Sequence, residues 1–198
     1  MRIGIFGGTF DPPHLGHMIL ASEALEQLKL DKLLWMVTAI PPHKASEDVL
    51  EVEKRLALTR AAIASFPQFE LSTLEIDRPG PHYSVDTVGL VKELFPESEV
   101  FFLMGQDSLR DLPYWHESEL FLDRCTGLGV MRRPGIETVL QNLSEKYPHI
   151  IQKIHWFETP LVDISSHDIR KRIQEGRTYQ FFLPGDVFQL IEKENYYQ

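Results

Sequence analysis

The sequence predicts a doubly wound α/β fold on a parallel sheet, with a small helical part towards its C-terminal end. Short apolar runs alternate with helix-period segments along the whole chain, and such alternation implies βαβ units joined by right-handed crossovers. No internal repeat, low-complexity tract or linker interrupts the 198 residues, which suits one domain at roughly 150 residues per domain. The chemically unusual residues fall in turns beyond the strands, where an open α/β sheet binds its ligands. We therefore expect residues 1–198 to form a single domain, its helical portion covering about 160–198.

Each element follows from local pattern. Residues 3–6 read as a buried strand, and Met18, Ala21, Leu25 and Leu28 then mark one face of a helix. Residues 33–37 form a second strand. Residues 47–65 open on acids and carry Val52, Leu56 and Ile63 on one side, as a helix does. Residues 69–76 read as a strand, and Ser84 as the N-cap of a helix bearing Val85, Val88 and Phe95. Residues 100–104 make a strong strand and 127–131 a weaker one. Helices are expected over 136–146, 166–175 and 186–194.

Composition narrows the function. The chain is 43% hydrophobic, 11% aromatic and 25% charged, too apolar for a disordered segment. No apolar run approaches the ~20 residues that span a bilayer, and the first residues lack the features of a secretory signal. These point to a cytoplasmic protein with no membrane partner. The single cysteine, Cys125, excludes an intramolecular disulfide and a thiolate zinc site. A net charge of −9 argues against generic nucleic-acid binding. It does not argue against a small anionic substrate, for which only the local placement of cations matters. Oligomeric state stays open, a homo-oligomer included.

The first strand runs into Gly7-Gly8-Thr9-Phe10-Asp11-Pro12-Pro13-His14-Leu15-Gly16-His17 and directly into a helix. Glycines let a ligand approach the backbone, and a helix start offers free N–H groups to anions. His14 and His17, three residues apart, face one spot. This is neither a dinucleotide Gly-x-Gly-x-x-Gly pattern nor a P-loop. Lys44, after the rigid Pro41-Pro42-His43 turn, could reach a polyphosphate or simply sit in solvent. Gly105 and Asp107 end the most apolar strand, with Asp107 also readable as a helix cap. Trp115 follows Pro113 in a loop, and a place in the core is the ordinary reading of such a residue. Ser165 and Asp168 make a capping box. The same helix start carries Arg170, against the dipole preference, and a phosphate ligand would resolve that conflict.

Taken together, these motifs resemble the bacterial nicotinate-nucleotide adenylyltransferases of the His-x-Gly-His nucleotidyltransferase superfamily. The Gly-Gly-Thr-Phe-Asp-Pro-Pro-His-Leu-Gly-His run, Pro41 to Lys44, Gly105 to Leu109, Tyr114-Trp115-His116, Arg132-Arg133-Pro134-Gly135 and Ile164 to Arg170 stand in the family's order. The resemblance implies a Rossmann-like nucleotidyltransferase fold. It also implies transfer of AMP from ATP to nicotinate mononucleotide, giving deamido-NAD and pyrophosphate by direct in-line attack. Mg²⁺ would accompany ATP, with no protein ligand named. By resemblance, His14, His17 and Lys44 are catalytic. ATP would meet Gly7, Gly8, Thr9, Phe10, His14, His17, Lys44, Gly105, Asp107, Ile164, Ser165, Ser166 and Arg170. The mononucleotide would meet Thr9, Tyr83, Ser84, Asp107, Trp115, His116 and Arg133. His167 stands where the family usually has Thr, so no hydroxyl contact is carried over there. Arg170 and Lys44 are expected to be exposed without ligand. A sister adenylyl- or cytidylyltransferase with another acceptor, and a nucleotide-sensing module without turnover, are the alternatives.

Overall fold

The computed structural model describes residues 1–39, 49–132 and 140–198. β1 (Arg2–Gly8) leads into α1 (Leu15–Gln27), followed by β2 (Lys32–Val37), α2 (Val52–Ile63), β3 (Phe69–Ser72) and α3 (Ser84–Leu94). β4 (Glu99–Gly105) passes straight into α4 (Gln106–Asp111), then come α5 (Ser118–Arg124), β5 (Gly127–Met131), α6 (Leu140–Lys146), α7 (Ile150–Lys153) and β6 (Ile154–Phe157). α8 (Ser166–Gln174) and α9 (Gly185–Glu194) follow. The six strands pair in parallel in the order β3-β2-β1-β4-β5-β6, the doubly wound arrangement expected from the sequence.

Alternating strand residues feed two cores. Leu33, Trp35, Val37, Phe101 and Leu103 join the core under α1, α2, α8 and α9. Leu34, Met36, Val100, Phe102 and Met104 join the other, under α3 to α7. Burial on both faces is why these strands read as unbroken apolar runs. Close packing on the first face needs glycine: a Cβ at Gly129 would lie 2.5 Å from Leu103 and 2.6 Å from Leu28. Ile169, Ile173, Val187 and Ile191 place α8 and α9 in that same core, each contributing ~1.5–3 kcal/mol. The C-terminal helices thus pack on the sheet beside α1 and α2.

Several boundaries depart from expectation. β3 stops at Ser72, because Ile76 and Asp77 donate their N–H groups to the Thr73 carbonyl and Thr73 Oγ1 bonds Asp77. That local turn competes with the ladder. α2 runs from Val52, with Glu51 as its N-cap, and α3 is capped by extended Tyr83, leaving Ser84 as its first helical residue with no side-chain cap. α5, α7 and β6, four to seven residues each, were not anticipated. Lys44 with its Pro41-Pro42-His43 turn, Arg133, and the expected helix starts at 47 and 136 lie outside the described residues.

Candidate active site

β1 and β4 are the strands at which the winding reverses direction, and ligands of such sheets bind beyond that junction. Their pairing ends at Ile5 and Phe102, yet β1 runs on to Gly8 and β4 to Gly105. The diverging ends open a cleft of about 510 Å³ lined by Gly7, Gly8, Thr9, Ser84, Gly105, Ser108 and Trp115. A Cβ on Gly7 would meet no atom within 4 Å, so its backbone faces open cleft. Trp115 stands edge-to-face with Phe102, ring centroids 5.9 Å apart. Ser84 N–H, at the first position of α3, lies among the amides that no helical carbonyl reaches.

A second cleft, of about 830 Å³, is lined by His14, Gly16, Arg132, Ile164, Ser165, Ser166 and His167. The two clefts share His17, Leu20 and Met131 as a common wall. His17 therefore stands where occupants of both would meet. Its ring stacks on His14, with centroids 3.7 Å apart. The His14 N–H donates to His17 Nδ1 at 3.2 Å, so a neutral His17 carries its proton on Nε2 and can donate from there. Burial lowers the His14 pKa to about 4. Burial, and then repulsion from His14, hold His17 well below its ordinary value. Both rings are thus neutral donors at pH 7.

The turn carrying this pair is pinned from several elements. Arg55, only 2% exposed, donates to the carbonyls of Leu50, Thr9, Thr38 and Ala39 at 2.8–3.1 Å. Phe10 sits at φ 47°, its ring buried against Phe6, Trp35 and His17. Only its backbone is left to meet a nucleotide. Ser166 donates to the Pro12 carbonyl at 2.8 Å. Ser165 caps α8 through the Asp168 N–H, as expected.

Arg170 corrects an expectation. It is not exposed: its side chain is 14% accessible, donates to the Asp11 carbonyl at 2.8 Å and lies 3.6 Å from the Asp11 carboxylate. In the ligand-free structure, buried Asp11 supplies a countercharge for this cation near a helix start. Tyr83 and His116 stack on each other with centroids 4.0 Å apart, and His116 is exposed. Asp107 stands at the second position of α4, beside the first cleft, with Gly105 rather than Asp107 as the cap. Glu75, His82 and Thr87 line the first cleft and escaped the sequence reading. The sequence places Glu75 in a strand over 69–76, and nothing in its neighbours marks it as facing a site. Burial raises its pKa while nearby Arg78 lowers it.

Comparison with known proteins agrees with this geometry. A cytidylyltransferase-like family model matches residues 5–172. A probable nicotinate-nucleotide adenylyltransferase of Thermus thermophilus is 43% identical over 198 residues, covering all of both chains. The nicotinate-nucleotide adenylyltransferase of Bacillus subtilis is 36% identical over 197 residues, covering 100% of this chain and 98% of that protein. The chain belongs to the nicotinate-nucleotide adenylyltransferase family. A Plasmodium falciparum nicotinic acid mononucleotide adenylyltransferase solved with NaAD shares the fold of this adenylyltransferase at a TM-score of 0.78. It is 20% identical, with 99% of this chain and 97% of that one covered.

Proposed function

We propose that the chain transfers AMP from ATP to nicotinate mononucleotide, forming deamido-NAD and pyrophosphate in NAD biosynthesis. The observation that carries this reading is the meeting of two clefts at a neutral histidine pair. The mononucleotide occupies the first cleft, its pyridine ring on Trp115 and its carboxylate at the α3 amides near Ser84. ATP occupies the second, its phosphates towards α1 and the Ile164–Ser166 segment. An oxygen of the 5′-phosphate forms a bond to the α-phosphorus as the bond to the β-phosphate oxygen breaks. Pyrophosphate leaves with that electron pair. The attacking phosphate is already ionised near neutral pH, so positioning and charge stabilisation supply the catalysis. His17 Nε2–H and His14 donate to the phosphoryl oxygens, with Lys44 and Arg133 assigned to anionic groups of the substrates.

Mg²⁺ would travel with ATP, neutralising charge on its phosphates. Among the described residues no group of three His, Cys, Asp or Glu is placed to hold a metal, and the Asp11 carboxylate is occupied by Tyr197 and Arg170. We place the enzyme in the cytoplasm, as one domain over 1–198, its oligomeric state unassigned. Among the described residues no helix is long and apolar enough to cross a membrane.

The test is pyrophosphate release from Mg-ATP with a panel of acceptors. A carboxylate gains ~1.5–3 kcal/mol from hydrogen bonds to free amides, whereas a carboxamide also turns an N–H₂ towards them. We expect kcat/KM to favour nicotinate mononucleotide over its amide by at least ~10²-fold. Parity, or turnover confined to another acceptor, overturns the assignment.

A further inference from the structure

We propose that Tyr197 is a positioning residue for the histidine pair, acting through the buried carboxylate of Asp11. Tyr197 lies beyond α9, 186 residues from Asp11 in sequence, and its hydroxyl donates to Asp11 Oδ1 at 2.7 Å. Asp11 is 2% exposed. Its other oxygen faces the Leu50 N–H at 3.4 Å and Arg170 at 3.6 Å. Burial and the charge of Asp11 push the Tyr197 pKa far up, so the phenol remains a donor. The chain also holds Tyr197 at φ 68°, in the left-handed region that a bulky residue rarely adopts. A conformation that costly needs partners to hold it, and the bond to Asp11 is the polar one on view.

The path from Asp11 to the reacting centre is short and stiff. Only Pro12 and Pro13 separate Asp11 from His14, and proline fixes φ. Ser166 holds the Pro12 carbonyl from α8, and the His14 N–H holds His17 Nδ1. A shift at Asp11 therefore reaches the His17 ring with little slack to absorb it. Donor misplacement of about an ångström can cost up to ~10²-fold in rate without touching the groups that bind substrate. Tyr197 thus links the C-terminal segment to turnover, while the two clefts keep their linings.

This inference rests on the histidine reading of the site, and the experiment separates the two. Tyr197→Phe removes the hydroxyl alone; Tyr179→Phe removes a comparable hydroxyl, bonded to the Glu192 carboxylate on the same face of the sheet. We expect Tyr197→Phe to lower kcat roughly 10-fold with either substrate's KM changed less than about twofold. Tyr179→Phe should lower the melting temperature without moving kcat. In the ligand-free protein, the ¹⁵N shift of His17 Nδ1 should move in Tyr197→Phe and stay in Tyr179→Phe. Asp11→Asn, which keeps an oxygen for the phenol, should lose less turnover than Asp11→Ala. Wild-type kcat in Tyr197→Phe, an equal fall in Tyr179→Phe, or an unmoved His17 shift each overturns the proposal. Absence of adenylyl transfer in the wild type would instead overturn the functional reading, leaving the shift to judge the link between Tyr197 and His17.

Discussion

Burial decides what the histidines can do, and it also makes them a liability in acid. His14 titrates near 6.5 unfolded and about 4 folded, because desolvation disfavours its cation. Between those values the unfolded chain binds a proton that the folded one refuses. The stability is therefore full above pH 6.5 and is lost as pH falls towards 4, by ~1.4 kcal/mol per pH unit. We expect the loss of unfolding free energy between pH 7 and pH 5, followed by urea denaturation, to be ~2 kcal/mol smaller in His14→Gln than in wild type. Gly7 offers a cleaner separation of fold from ligand. Its Cβ would meet no protein atom within 4 Å, so Gly7→Ala should keep the wild-type melting temperature. The resemblance gives Gly7 to ATP, but it lines the first cleft, and under the proposed occupancy the substitution should raise KM for the mononucleotide. A lowered melting temperature with unchanged KM would place Gly7 outside the binding surface. Gly7, His17 and Trp115 were legible in the sequence because their residue types are unusual after a strand or in a loop. Arg55 and Tyr197 were not. A buried arginine on an amphipathic helix has the same local pattern as a solvated one, and Tyr197 gains its meaning from a partner 186 residues away.

Among the elements, α8 shows how a conflict legible in the sequence is met in the free protein by a partner that the sequence does not mark. The N-cap serine and the cation near the helix start were both legible. Ser165 Oγ accepts the Asp168 N–H, while the Asp168 carboxylate takes the Ser165 hydroxyl proton in place of the second arm of a capping box. Arg170 turns to Asp11, however, because the β1–α1 turn carries a carboxylate that burial would otherwise leave short of countercharge. Removing one partner of a buried ion pair strands the other. Arg170→Ala should thus destabilise the free protein by ~2–3 kcal/mol, below the usual 3–5 kcal/mol because Tyr197 and the Leu50 N–H still hold Asp11. Lys171→Ala, at a side chain 60% exposed, should leave the melting temperature within about a degree. Equal melting temperatures for the two variants would restore Arg170 to a purely ligand-facing role. The elements that escaped the sequence reading are short. β6 and α7 have four residues each, less than the window over which period 2 and period 3.6 separate.

At the scale of the whole molecule, the alternation of strands and helices made the sheet legible, and the sheet made the site legible in outline. Two-sided burial enforces apolar strands, and reversal of winding at β1 and β4 opens the cleft. The second cleft was less so, since it needs the 159–164 segment brought against α1 by packing of α8. Because the clefts meet at one wall of His17, Leu20 and Met131, the proposed occupancy brings the acceptor phosphate from the first cleft towards the α-phosphorus that ATP carries in the second. Among the described residues a covalent enzyme intermediate has few sources nearby. Cys125 is buried, its pKa pushed up to about 12. Ser165 and Ser166 are held by Asp168 and the Pro12 carbonyl. His17 has its Nδ1 lone pair on the His14 N–H and its proton on Nε2, leaving no free nucleophilic pair. One direct displacement inverts phosphorus, whereas two successive ones through an adenylyl-enzyme restore it. ATP made chiral at the α-phosphorus with sulfur should yield deamido-NAD of inverted configuration, read by ³¹P NMR. Retention would require an adenylyl-enzyme, and His14, whose Nδ1 has no partner among the described residues, would be the first residue to search for it.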